Sequence, residues 1–456
     1  MSNPSVVEAA PASTNPPGPR GLPVLGSALQ MGRRNILSNY LELQRQYGDI
    51  IFVKLGPLNG YILCSPEYVH HVLVKNQKNY IKGIGYDGLR LLIGQGVLTS
   101  EGEVWRQQRR LMQPPFTPTA ITQFADMMIE ITQRLLDRWQ PYAEQGQELV
   151  MDAEMLHLTM SIIGRAMFSI DLGEESTEVG AAFEGAFGFI PSRGGLALPL
   201  SLPLPAHRRF QDNLEVINHF IEARIAAGRR NPAQNDLLSM LLRARDEETG
   251  QALSATDLRD EAVTLFFAGF ETTARSLTWG WYLLAKHPEV QARLAAEADR
   301  VLQGRAPTID DLFQLNYTRQ VVDETLRLYP PTALLARQNV EADEIGGYPI
   351  PAGSMIILAP YLVQRYPGLW PDPERFDPER FTPQAAEARP KTAYIPFASG
   401  PRVCLGNNFA LLEMVYAMSM AAGRYRLEMA EDEEIPFELV GTMRPTKPLR
   451  VRVQRR

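Results

Sequence analysis

Apolar residues recur with helical spacing from about residue 103 to residue 330. On either side of that span they fall in short alternating runs broken by glycine and proline. Before it, Ile50 to Leu55 and Gly60 to Cys64 flank Gly56-Pro57-Leu58-Asn59, a hairpin pattern. Ser65-Pro66 follows as a helix start, with serine as cap and proline at the first helical position. After Pro330, strand and turn signals prevail, as in Gly346-Gly347-Tyr348-Pro349-Ile350-Pro351-Ala352-Gly353. A last helix is predicted over Asn407 to Ala422, and alternation returns at Arg450-Val451-Arg452-Val453. Within the helical span, Ser254-Ala255-Thr256-Asp257 reads as a cap, and the helical pattern runs on to Lys286-His287, where Pro288 ends it. A helix of about 30 residues spans roughly 45–50 Å, enough to cross a whole protein. The stretch 190–205 (IPSRGGLALPLSLPLP) is too proline-rich for a helix and is predicted as a loop, a common place for a mobile lid. The fold class expected is mainly α with a smaller β-rich portion. Residues 1–18 read as a disordered or extended lead and 19–456 as one domain, since no linker or repeat divides them.

Composition narrows the function. The chain has 456 residues, 45% hydrophobic and 21% charged, the profile of a soluble globular protein. Two cysteines, Cys64 and Cys404, exclude a disulfide framework and favour a reducing compartment. A net charge of -6 argues against nucleic acid as the principal partner. No apolar run approaches the roughly 18 residues of a membrane helix. Ala262 to Phe270 comes nearest and stops at Glu271. The N-terminus lacks the basic start and apolar core of a signal peptide, so a cytoplasmic location without a transmembrane anchor is expected.

The sharpest local feature is Phe397-Ala398-Ser399-Gly400-Pro401-Arg402-Val403-Cys404-Leu405-Gly406, followed at once by an apolar helix. A thiol just before a helix N-terminus is favoured as thiolate by the helix dipole and by free backbone N–H groups. Glycines let those groups approach the sulfur, and Phe397 could shield it, as a soft-ligand iron site requires. Cys404 alone would equally suit a buried structural cysteine. The full spacing, Phe-x-x-Gly-x-Arg-x-Cys-x-Gly, resembles the cytochrome P450 family. That resemblance implies haem b as cofactor, with Cys404 as its axial ligand and Phe397, Gly400 and Gly406 around it.

Three further motifs stand where that family would place them. Glu324-Thr325-Leu326-Arg327 puts a carboxylate and a guanidinium on one helix face, and it alone among several Glu-x-x-Arg pairs is followed by Leu328-Tyr329-Pro330-Pro331. In the family the pair joins an arginine of a downstream Pro-Glu-Arg-Phe. Two such segments exist, and the resemblance points to Arg380, with Arg375 open as the alternative. Ala268-Gly269-Phe270-Glu271-Thr272-Thr273 breaks the apolar pattern of the long helix, and such breaks are expected at functional sites. It resembles the family's oxygen-activation motif. By that resemblance Thr272 orients dioxygen and Glu271 relays protons, while Ala268 and Gly269 leave room for ligands. Phe270 stands where many relatives carry histidine. Trp105 and Arg109 share a helix face and, with Arg402 and more weakly Arg337, are implied to hold the haem carboxylates. The adjacent His70-His71 suit surface or packing roles rather than metal ligation.

The resemblance implies a haem-thiolate monooxygenase that uses dioxygen and oxidises a hydrophobic small molecule. Electrons are expected from a separate ferredoxin or flavodoxin with its NAD(P)H-dependent reductase; Arg106 and Arg110 read first as solvated surface charges, with a basic docking face for that donor as the alternative. The pocket walls expected are Phe266, Ala268, Gly269, Thr332, Leu334 and Leu335, with segments near 81–97, 176–210 and 440–443. A peroxide-using or rearranging haem-thiolate enzyme, or a non-catalytic haem or ligand-binding protein, remains the alternative.

Overall fold

The computed structural model describes residues 15–22, 26–27, 36–173, 175–192, 198–231 and 234–456. Helices make up the body. The longest, Ala255–Lys286, has 32 residues. Its start is fixed by Ser254, whose hydroxyl accepts the Asp257 N–H at 3.1 Å, and Pro288 opens the next helix. From Asp260 to Leu284 its residues are buried except Ala268, Gly269 and Thr272. A helix apolar on every side has to run through a core rather than along it. Met151–Phe168, Pro205–Arg230, Asn316–Leu328 and Asn407–Arg424 pack around it in one large apolar cluster. Met151–Phe168 comes closest at Gly269, where a Cβ would stand 2.6 Å from Ile163 Cδ1.

The β-rich portion lies to one side. Ile50–Leu55, Leu58–Leu63, Met355–Leu358, Leu335–Asn339 and Tyr80–Ile81 lie side by side in a five-stranded sheet. The first two pair antiparallel with Leu55 opposite Leu58, so the hairpin turn is Gly56-Pro57, two residues tighter than the sequence suggested. The Phe52 N–H donates to Pro17 O at 3.0 Å, pinning residues 15–22 along this sheet. Residues 1–14, most of the expected lead, lie outside the described residues.

The Ser65 cap and Pro66 start form as expected, but the helix changes to a π-turn at His71–Lys75. There His71 Nε2 contacts Asp343 Oδ2 at 2.8 Å, a packing role. The helix predicted to stop before residue 190 runs through Ser192, so the loop is shorter than expected. Its part 193–197 lies outside the described residues. No helix among the described residues is long and apolar enough to cross a membrane.

Candidate active site

The segment Ile395–Gly406 is a compact loop that places Cys404 at the start of the Asn407–Arg424 helix. The Cys404 N–H donates to Phe397 O at 3.0 Å and the Val403 N–H to Gly400 O at 3.0 Å, closing the loop on itself. Gly400 has φ 73°, and a Cβ there would stand 2.0 Å from Leu73 O. Glycine is therefore required both by conformation and by the close π-turn. Cys404 is a free, accessible thiol. Burial nevertheless pushes its pKa up, while the Gly406 N–H and the Arg109 charge pull it down.

One residue of this loop is strained. Ala398 has φ 60°, a left-handed conformation that costs a side chain about 1 kcal/mol and glycine almost nothing. Ala398→Gly is expected to stabilise the protein by about that amount, read as a higher urea midpoint. A lower midpoint would show that the methyl group's packing against the sheet core outweighs the strain.

On the long helix, Ala268, Gly269 and Thr272 are the positions that open the buried stretch Asp260–Leu284 to internal space. Ala268 and Thr272, four residues apart, share one face, and Gly269 flanks it three residues before Thr272. The Thr272 hydroxyl donates to Ala268 O at 3.0 Å. Glu271 does not meet Thr272. Its Oε1 accepts from Arg275 Nε at 3.0 Å and from the Thr442 hydroxyl at 2.8 Å, and its Oε2 from Arg275 Nη2 at 3.3 Å. The same Nη2 donates to Glu184 Oε1 at 2.7 Å. Neighbouring residues on a helix point about 100° apart, so the acid and the hydroxyl belong to different faces.

The expected carboxylate-binding residues converge as a basic cluster. Arg402 lies 4.0 Å over the Trp105 ring, donates to Ser100 O at 2.8 Å and is ion-paired with Glu101. Arg109 donates to Val403 O at 2.8 Å, beside the cysteine. Arg337 is buried in strand Leu335–Asn339. Two members carried no sequence signal: buried Lys82, whose ammonium sits 4.3 Å over the Tyr86 ring, and Tyr86 itself. Burial, with Arg337 and Arg402 adding repulsion, pushes the Lys82 pKa down to about 8. Lys82 and Arg337 draw the Tyr86 phenol below its ordinary range despite its burial. Four cations, Lys82, Arg109, Arg337 and Arg402, with Glu101 as the anion paired to one of them, form a site that gains from a doubly anionic group. A haem with two carboxylates and an iron for the inward thiol fits these residues.

Behind the cysteine loop, Glu324 and Arg327 are fully buried. They form a bidentate pair at 2.6 and 2.8 Å. Arg327 also donates to Gln364 O at 3.0 Å and Pro373 O at 2.7 Å. Arg380 completes the group, its Nε 3.4 Å from Glu324 Oε1. Arg375 lends only its backbone carbonyl, at 3.2 Å from Arg327 Nη2. Gln364, which no motif marked, joins this group to the loop: its Nε2 donates to the Leu326 and Arg327 carbonyls at 3.0 Å, and its Oε1 accepts the Ile395 N–H at 3.0 Å.

Two expected pocket residues belong to the core instead. Phe266 is 0% exposed and packs against the rings of Phe168, Phe183, Phe220 and Phe270. It lies two residues from Ala268, hence on nearly the opposite helix face. Leu335 is buried in the core cluster of the sheet. Thr332 and Leu334 remain partly accessible.

The family model for Cytochrome P450 matches residues 16–453. Cyclooctatin synthase of Streptomyces melanosporofaciens is 36% identical over 90% of this chain and 89% of its own. Cyclooctat-9-en-7-ol 5-monooxygenase of the same organism is 35% identical over 90% and 88%. Pentalenene oxygenase of Streptomyces avermitilis is 32% identical over 96% and 97%. An inward cysteine at a helix start, a basic cluster suited to a dicarboxylate and a buried Glu-Arg-Arg group behind them agree with that match along nearly the whole sequence: the chain belongs to the cytochrome P450 family.

Proposed function

We propose that this haem-thiolate monooxygenase hydroxylates a cyclic terpenoid hydrocarbon or alcohol, with Cys404 as the iron ligand. The observation that carries the reading is an accessible Cys404 thiol at a helix start, beside the basic cluster around Arg402, with Ala268, Gly269 and Thr272 as the partly accessible positions of the otherwise buried long helix. The names of three relatives, a synthase of cyclooctatin and two oxygenases of ring-bearing alkenes or alcohols, support the substrate class. So does the apolar wall offered by Leu334 and the small Ala268 and Gly269.

When bound, the haem supplies dioxygen activation, placing one oxygen atom in the substrate and reducing the other to water. The chain's own residues do the rest. Cys404 holds the iron as thiolate, with the Gly406 N–H donating to its sulfur. Lys82, Arg109, Arg337, Arg402 and Trp105 hold the haem carboxylates. The Thr272 hydroxyl exchanges its bond to Ala268 O for one to bound ligand or water. Glu271 could relay protons only after leaving Arg275 and Thr442 and turning toward Thr272, and Glu324, Arg327 and Arg380 fix the loop without touching the reaction.

Electrons come from a separate ferredoxin or flavodoxin with an NAD(P)H-dependent reductase. The test is incubation with cyclooctat-9-en-7-ol or pentalenene, a surrogate ferredoxin pair and labelled dioxygen. One labelled oxygen in the product, dependent on NAD(P)H, is the expected result. Labelled product formed from dioxygen without NAD(P)H or a donor protein would overturn the donor requirement.

Among the described residues Arg106 pairs only with exposed Glu103, whereas Arg110 is held by Asp246 and Glu248. Arg106→Glu is therefore expected to slow reduction by the donor several-fold at low salt, with the difference vanishing at high salt. An unchanged rate at low salt would remove this face from docking.

A further inference from the structure

Residues 94–101 connect the long helix to the cysteine loop through polar contacts that none of the recognised motifs includes. Gly94 and Gly96 press the backbone onto the long helix: a Cβ would stand 2.1 Å from Asp260 Oδ2 at the first and 2.3 Å from Thr264 Oγ1 at the second. There Asp260 Oδ2 accepts the Gln95 N–H at 2.7 Å and Glu261 Oε2 the Val97 N–H at 3.0 Å. On the opposite side, Gln108 of helix Gly102–Met112 donates to Gln95 O at 2.8 Å and accepts from the Ser100 hydroxyl at 2.5 Å. The Thr99 hydroxyl ties back to Gly94 O at 2.7 Å. At the far end Ser100 O and Glu101 both hold Arg402, and Glu101 also accepts the Lys82 N–H. Glu261, Gln108 and Asp260 are 0%, 2% and 5% exposed.

A buried carboxyl or amide is tolerated only where its bonds are made, and such bonds specify one backbone arrangement. We propose that Asp260, Glu261 and Gln108 are positioning residues that make 94–101 a single stiff brace, carrying order from the pocket side of the long helix to Arg402. The inference rests on the reading that Arg402 holds a haem carboxylate. It adds that the pocket wall and that arginine cannot loosen independently.

Glu261 is the informative lever. Its Oε1 is buried without a partner, and burial, with Asp257 and Asp260 nearby, pushes its pKa up to about 8. Near neutrality it is an uncharged acid, so Glu261→Gln preserves both its shape and its acceptor for Val97.

The test is amide hydrogen exchange of the full-length haem protein, with haem transfer to apomyoglobin measured in parallel. In Glu261→Ala, exchange is expected to rise at least tenfold at Gln95 and Val97 and also at Ser100 and Glu101, while Glu261→Gln stays near wild type. Gln108→Met, which leaves the Asp260 and Glu261 contacts intact, is expected to loosen both ends as well. Faster exchange confined to 95–97 in Glu261→Ala, or to 99–101 in Gln108→Met, would overturn the brace. Faster exchange across the whole segment with unchanged haem transfer would keep the brace and remove Arg402 from the haem carboxylates.

Discussion

The carbon monoxide difference spectrum of the reduced Cys404→Ala variant is expected to lose the strongly red-shifted Soret band of the wild type, and turnover is expected to vanish. The hydrogen-bonding support of the Cys404 thiol is the Gly406 N–H, and its net pKa displacement is upward because burial outweighs that bond and the Arg109 charge. A thiolate there becomes favourable when a cation binds it. Removing a single accessible sulfur deletes little packing, so the urea midpoint of the haem-free variant should stay within the range of an ordinary surface change, about 0.5 kcal/mol. Loss of the band with stability intact separates a ligand from a structural cysteine. An unchanged spectrum would assign the iron ligand elsewhere.

Glu324→Ala has the largest expected effect on stability. It leaves Arg327, fully buried, without its carboxylate, and it strips the Asp377 N–H of its 2.9 Å acceptor. Breaking one half of a buried pair costs about 3–5 kcal/mol, a large fraction of the roughly 5–15 kcal/mol that keeps a domain folded. The variant is expected to yield no soluble haem-loaded protein. Arg327→Lys should fare nearly as badly, because an ammonium cannot replace the bidentate grip and reach the Gln364, Pro373 and Arg375 carbonyls together. Expression yield with haem content, and urea unfolding of whatever is recovered, provide the measurement. A folded, haem-loaded Glu324→Ala protein would show that the Gln364, Pro373 and Arg375 carbonyls are enough to hold the Arg327 guanidinium.

Local chemistry explains what could be read beforehand. The cysteine loop, the Ser254 cap, Pro288 and the Glu-x-x-Arg pair are all contained within a dozen residues, so their geometry is written in their spacing. The partner of Glu324 was not, since Arg375 and Arg380 occur in identical Pro-Glu-Arg-Phe tetrapeptides; family resemblance pointed to Arg380, and the fold turns that guanidinium inward. Phe266 looked like a pocket wall because it is apolar and close to Gly269, yet helical rotation sends it to the aromatic core. Lys82, Gln364 and Gln108 escaped notice for a common reason. Each draws its importance from residues distant in the chain, and an isolated lysine or glutamine carries no trace of such a partner. Glu271 shows the same limit, since its engagement by Arg275 could be read from an i,i+4 spacing but that by Thr442 could not.

The bond from Arg402 to Ser100 joins residues 302 positions apart in the chain. Gln364 likewise draws Ile395 against a helix that ends at Leu328. Closing such long loops is slow, and contacts of this kind form late. The basic cluster and the cysteine therefore come together only after most of the chain has collapsed around the long helix. Haem capture is thus placed among the last steps of maturation, and a cell short of haem would accumulate a nearly finished apoprotein rather than an unfolded one.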